Sequence, residues 1–191
     1  NKTGEKNDLF YASTPPLEAK KAMFARYVEH ARAGPLPLRL SFVDIRKAYF
    51  NGTPKRNVFM QIPKEMGLPS HFVAKQVRCV YGTRDAGSIW EDVYRSALED
   101  MGFESGVASP CCFVHRARGL SVVAHGDDFT ALGTDSELDW YEAELAKHFE
   151  LKLRGRLGEG CSGDNELRIL NRVVCITPDG LTYEAYPRHI D

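Results

Sequence analysis

The chain has 191 residues, 43% hydrophobic and 27% charged, which is the balance of an ordinary globular domain with room for a real core. No run of roughly 18 apolar residues exists, which excludes a transmembrane helix, and the polar first residues carry no signal-peptide pattern. A net charge of −1 argues against a strong nucleic-acid binder, but the charge is uneven: residues 1–60 hold 11 Lys/Arg against 5 Asp/Glu, and residues 116–191 hold 9 against 14. A basic segment facing a carboxylate cluster would hold a polyanion near metal ions; plain variation along solvated faces explains the same numbers equally well.

In chain order, residues 1–14 are polar and are expected to form a mobile lead-in. Because the chain opens on Asn1 and not Met, a piece of a longer polypeptide is expected. Thr14-Pro-Pro-Leu-Glu18 reads as a helix start, and the apolar positions that follow predict a helix over 16–33, stopped by Gly34-Pro-Leu-Pro37. Leu38 to Asp44 reads as a buried strand, Arg46 to Phe50 as a helical turn, and Asn57 to Ile62 and Val73 to Tyr81 as further strands. Trp90, Val93, Tyr94, Ala97, Leu98 and Met101 fall on one stripe of a helix over Asp85–Met101, closed by Gly102. Cys111–His115 and Leu120–Ala124 predict a strand pair, Phe129–Leu132 another strand, and Ser136–Phe149 a third helix. Leu151–Leu153 reads as a strand, Leu157–Asp164 as a Gly-rich loop, and Leu167–Ile176 with Leu181–Ala185 as a last hairpin around Pro178-Asp-Gly180. This order predicts an α+β fold, an antiparallel sheet with helices packed on one face. The five cysteines, Cys79, Cys111, Cys112, Cys161 and Cys175, are odd in number and irregularly spaced, so neither a disulfide framework nor a zinc site is expected. A reducing compartment, cytoplasm or nucleus, is the expected location.

The chemistry centres on Ser121-Val-Val-Ala-His-Gly-Asp-Asp-Phe-Thr-Ala-Leu132. Gly126-Asp127 predicts a two-residue turn between apolar strands, with glycine at the central position that needs φ > 0. Asp127 and Asp128 at that tip repel unless a cation or proton joins them, and Asp44 ends another apolar run. Three aspartates at strand ends suggest a divalent-metal site, with Asp44 and Asp127 bridging and Asp128 peripheral. Taken alone, an Asp-Asp pair at a hairpin tip is more often a solvated turn.

The wider pattern resembles the reverse transcriptase domain of copia-type LTR retrotransposons. Val43-Asp-Ile-Arg-Lys-Ala-Tyr-Phe-Asn-Gly52 is similar to that family's first catalytic motif, and Asn57-Val-Phe-Met-Gln-Ile-Pro63 to the strand that follows. Val77-Arg-Cys-Val-Tyr-Gly-Thr-Arg-Asp-Ala86 with Trp90 resembles its Tyr-Gly…Trp block. Gly102-Phe103 with Pro110-Cys-Cys-Phe-Val114 resembles the segment before its active hairpin. His125-Gly-Asp-Asp128 stands where the family has Tyr-Val-Asp-Asp, and Phe149-Glu-Leu-Lys152 with Leu157-Gly158 resembles a later block. The resemblance runs in order from about residue 9 to 190.

It implies a right-hand polymerase palm over 15–191, with the helix at 16–33 as a residue of incomplete fingers and no thumb. It implies an RNA-directed DNA polymerase of a retrotransposon Pol polyprotein, transferring nucleotides from dNTPs to a primer 3′-hydroxyl on an RNA template. Asp44, Asp127 and Asp128 would bind two Mg2+ ions, or Mn2+. Tyr49 would exclude a 2′-hydroxyl. Backbone amides near Lys47 and Ala48, with charge from Arg46 and Lys47, would cradle the triphosphate. The partners implied are template, primer, dNTPs and the remaining polyprotein domains, with no membrane. The pattern departs at His125-Gly126, at Asp85-Ala86-Gly87 in place of Gln-Ala-Pro, and in the fingers strands that would precede residue 9. His125 is expected to fill space and Asp85 to cap a helix. These departures predict a weak or inactive isolated chain. They keep open a degenerate remnant that only binds nucleic acid or assembles, and, from another class, a different palm-like enzyme such as a nucleotidyl cyclase.

Overall fold

Apolar alternation and tight turns set the elements of this chain, and a computed structural model describes residues 12–33, 37–158 and 165–185. In order they are α1 (Leu17–Ala33), β1 (Arg39–Ile45), a 3-10 turn at Ala48–Asn51, β2 (Phe59–Gln61), β3 (Val73–Lys75) and α2 (Ala86–Asp100). Then come β4 (Glu104–Ser105), β5 (Cys112–His115), β6 (Leu120–His125), β7 (Asp128–Gly133), α3 (Asp135–His148), β8 (Leu151–Leu157), β9 (Glu166–Ile169), β10 (Arg172–Thr177) and β11 (Gly180–Ala185). Most of the expected lead-in, the Gly34-Pro stop and most of the Gly-rich loop lie outside the described residues. Among the described residues no helix is long and apolar enough to cross a membrane.

Two compact units emerge, one built on Lys47–Tyr94 and the other on Ser13–Arg46 with Arg95 onward. The larger unit holds a six-stranded sheet in the order β4-β5-β6-β7-β1-β8, with every neighbouring pair antiparallel. β1 lies in its interior, which is why Arg39–Ile45 is buried at every position except the half-buried Asp44. Side chains alternate across a strand, so Leu40, Phe42 and Asp44 share the front face, while Ser41, Val43 and Ile45 share the back. Met23, Phe24 and Tyr27 of α1 share a core with Leu40, Phe42, Val123 and Leu132. Ser41 instead donates to Glu142 Oε1 of α3 at 2.7 Å. The expectation of helices on one face is therefore corrected. α1 covers the front, with Ile169 and Val174 from the β9–β11 sheet in the same core, and α3 covers the back.

The predicted last hairpin forms around Pro178 and Asp179, with Thr177 paired to Gly180, but its first strand is corrected. Leu170 and Asn171 have φ of 44° and 59°, and Ile169 pairs with Arg172. Two central residues at positive φ are the signature of a type I′ turn, so the predicted single strand over 167–176 is two strands.

The smaller unit rests on a compact knot in which Cys79, Ala86 and Ile89 are buried and Tyr49 packs against them. Gly52 is required there: a Cβ at that position would stand 2.7 Å from Ile89 Cγ2 and 3.2 Å from Cys79 Sγ. The predicted strands shrink to three residues each, Phe59–Gln61 paired with Val73–Lys75, and Phe59 is 58% exposed.

Candidate active site

The two-residue turn at Gly126-Asp127 forms as the sequence predicts. His125 pairs with Asp128 across it, and Gly126 has φ of 63° while Asp127 stays out of the positive region. The tip is tied to β1, because the Asp127 carbonyl accepts from the Ile45 amide at 2.8 Å. One step further along, Asp44 and Asp128 are register partners on adjacent antiparallel strands. Hairpin and strand end together therefore gather the three aspartates at one end of the front face.

The cation between the carboxylates comes from the protein itself. Arg154 of β8 donates from Nη2 to Asp44 Oδ2, and its Nε lies 3.8 Å from Asp128 Oδ1. Among the described residues no three acidic, His or Cys side chains are gathered closely enough to hold a metal ion as they stand. Burial pushes the Asp128 carboxyl above the usual range. Arg154 pulls it back, Asp127 and Asp44 push it up, and Lys20 pulls down again. That mutual repulsion, in a set of hard carboxylate oxygens, is the donor chemistry a divalent cation takes up.

Two further groups complete the electrostatics. Lys20 of α1 is 3% exposed, and its Nζ has no hydrogen-bond partner. Burial lowers its ammonium to about 8, against an attraction to Asp128. His125 is half-buried; burial lowers its pKa, Lys20 adds to that, and Asp127 opposes it. His125 thus answers to a charge on α1 and to one in its own turn.

Arg154 and Lys20 escaped the sequence reading. Lys20 carried a signal, since it falls on the same helical stripe as Met23, Phe24 and Tyr27, where a lysine is out of place. Arg154 owes its aim to a β-bulge: Phe42 pairs with Gly155 and Val43 with Leu153, which leaves Arg154 as the extra residue. Gly155 has φ of 129°, a conformation open mainly to glycine.

The expected nucleotide residues divide between the units. Arg46 pairs with Glu150 at 2.7 Å in the larger unit. In the smaller unit Lys47 takes left-handed backbone, with φ of 54°, and Ala48 is fully buried. Tyr49 meets Tyr81 edge-on, with ring centroids 4.4 Å apart. Asp85 stands directly before α2, its carbonyl accepting from the Ile89 amide at 3.1 Å, while its buried carboxylate faces Arg56 Nε at 3.3 Å. It is both a helix-start residue and half of an ion pair.

Residues 38–160 match the family model described as "Reverse transcriptase (RNA-dependent DNA polymerase)". The chain belongs to this reverse transcriptase family. The three aspartates, residues 46–49 and Arg154 all fall inside the matched span; Lys20 falls outside it. The fold is also similar to apo telomerase from Candida tropicalis truncated from its C-terminal domain, with a TM-score of 0.53 and 8% identity. That likeness covers 91% of this chain and 41% of the telomerase chain, so this protein spans less than half the length of that relative. A polymerase-like fold in a reverse transcriptase family member accounts for the antiparallel sheet and its aspartate-tipped hairpin.

Proposed function

We propose that this protein is the palm of an RNA-directed DNA polymerase from a copia-type retrotransposon polyprotein. The observation that carries the reading is the register pairing of Asp44 with Asp128 beside the turn that presents Asp127, all within the reverse transcriptase match. Asp44, Asp127 and Asp128 would hold two Mg2+ ions, or Mn2+. When bound, such ions lower the pKa of a primer 3′-hydroxyl and offset charge on a leaving pyrophosphate. The chain's own contribution is positional: β1 and the hairpin fix the carboxylates on rigid strands. Tyr49 is assigned sugar discrimination, and Lys47 and Ala48 amides with Arg46 the triphosphate, each from the motif it occupies. RNA template, primer and dNTPs are the partners this reading requires.

A second reading has observations of its own. Arg154 already neutralises Asp44 and Asp128, and α1 covers the front face that carries them. Both favour a non-catalytic module that binds nucleic acid. Primer extension on an RNA template with Mg2+, using the wild-type chain and Asp127→Asn, decides between the two. Extension that disappears in the variant supports the polymerase. Template binding without extension, and a melting temperature that Mg2+ leaves unchanged, supports the non-catalytic module.

A further inference from the structure

We propose that Arg154 is a built-in counter-ion of the carboxylate site, and that a divalent cation binds Asp44 and Asp128 only by displacing its guanidinium. The inference rests on the reading of these aspartates as metal ligands. Three observations lead to it. First, the position is constructed: the bulge between Phe42 and Val43 sets Arg154 outside the ladder, and Gly155 supplies the backbone that makes the bulge possible. Bulges beside sites commonly re-aim one side chain. Second, Asp44 and Asp128 side chains are only 19% and 20% exposed and face each other across β1 and β7. Two carboxylates so placed need a positive partner. Arg154 provides it by direct contact with both, whereas the buried Lys20 ammonium makes no hydrogen bond.

Third, the guanidinium is free to leave without moving the strand. Its side chain is 35% exposed and flanked by exposed Leu153. Two residues on, Arg156 holds β8 to α3 through Glu142, Asp139 and Asp135, at 2.9, 2.8 and 3.3 Å. Strand position and guanidinium position are thus set by different contacts. A metal ion takes up the same carboxylate charge that now holds Arg154, and its own charge repels the guanidinium. The two occupants exclude one another.

Mn2+ binding followed by electron paramagnetic resonance tests this on the full 191-residue chain. Arg154→Gln is expected to bind Mn2+ about tenfold more tightly than wild type, the worth of one lost charge-assisted contact. Arg154→Lys should fall between, and Asp44→Asn should lose the site. Should Arg154→Gln fold poorly, the wild-type chain still reports through its Arg154 Nε–H nitrogen resonance, which is expected to shift to a solvent-exposed position as Mg2+ is added. Unchanged or weaker Mn2+ binding in Arg154→Gln, with Asp44-dependent binding intact in wild type, overturns the displacement and leaves the metal site standing. So does an Arg154 resonance that Mg2+ does not move. Absence of Asp44-dependent Mn2+ binding in every variant overturns the displacement together with the metal-ligand reading beneath it.

Discussion

The two units of this protein hold their side chains in opposite ways. The larger one closes a continuous core from α1 through Leu40, Phe42 and Leu132. The smaller one rests on Cys79, Ala86, Ile89 and Tyr49, and leaves Phe59, Met66, Phe72 and Val77 each at least half exposed. Burial of apolar area is the main source of stability, so the strands that present the aspartates stand on far more stabilising contact than the segment assigned to the nucleotide.

The sharpest way to break this comparison is to empty the larger core. Leu40→Ala removes a fully buried side chain at the centre of β1 and should cost about 4 kcal/mol in urea denaturation. A loss below about 1 kcal/mol would mean the larger unit is not the stable one. Next in size is Lys20→Met, which removes a buried, unbonded ammonium. The Lys20 pKa falls from 10.5 in the unfolded chain to about 8 in the fold. The unfolded state therefore binds more protons between those values. Its penalty is complete below about pH 8 and is relieved as pH rises toward 10.5. Measured in EDTA, Lys20→Met should gain roughly 3 kcal/mol over wild type at neutral pH, a margin that shrinks as pH climbs through that window. A pH-independent margin would count against the buried-ammonium account.

In the smaller unit, Gly52→Ala drives a methyl against Ile89 and Cys79 and should cost about 2 kcal/mol. The Cys79 thiol, buried in the native fold, should then react faster with a thiol reagent. Unchanged reactivity would show that the knot repacks freely. Smallest of all, Phe59→Ser on the exposed β2 should change stability by less than about 0.5 kcal/mol in the same denaturation assay. A larger loss would reveal packing on β2 that its exposure conceals.

Much of this was readable from the residues. Helical stripes announced α1, α2 and α3 to within a residue or two, and Gly126-Asp127 announced its turn because only glycine sits comfortably at that first position. The aspartates were readable as strand-end carboxylates. What escaped reading has physical reasons. Leu170-Asn171 hides a turn inside an apolar run, since leucine rarely takes positive φ. A bulge breaks the period of two, so no alternation pattern could place Arg154 beside Asp44. Faces are a tertiary property: nothing local in α1 and α3 says that they cover opposite sides of one sheet. Lys20 was legible as an anomaly on its stripe, but its neighbour Asp128 was not.

The bulge at Arg154 also bears on how the sheet ends. β8 is an outer strand of the six, and the opposite outer strand, β4, is two residues long. A long flat rim would invite another chain to add itself by main-chain hydrogen bonding. Here one rim is too short to template such growth. The other is kinked and studded with Lys152, Arg154 and Arg156. The irregularity that aims one guanidinium at the aspartates therefore also serves as a guard against edge-to-edge self-association.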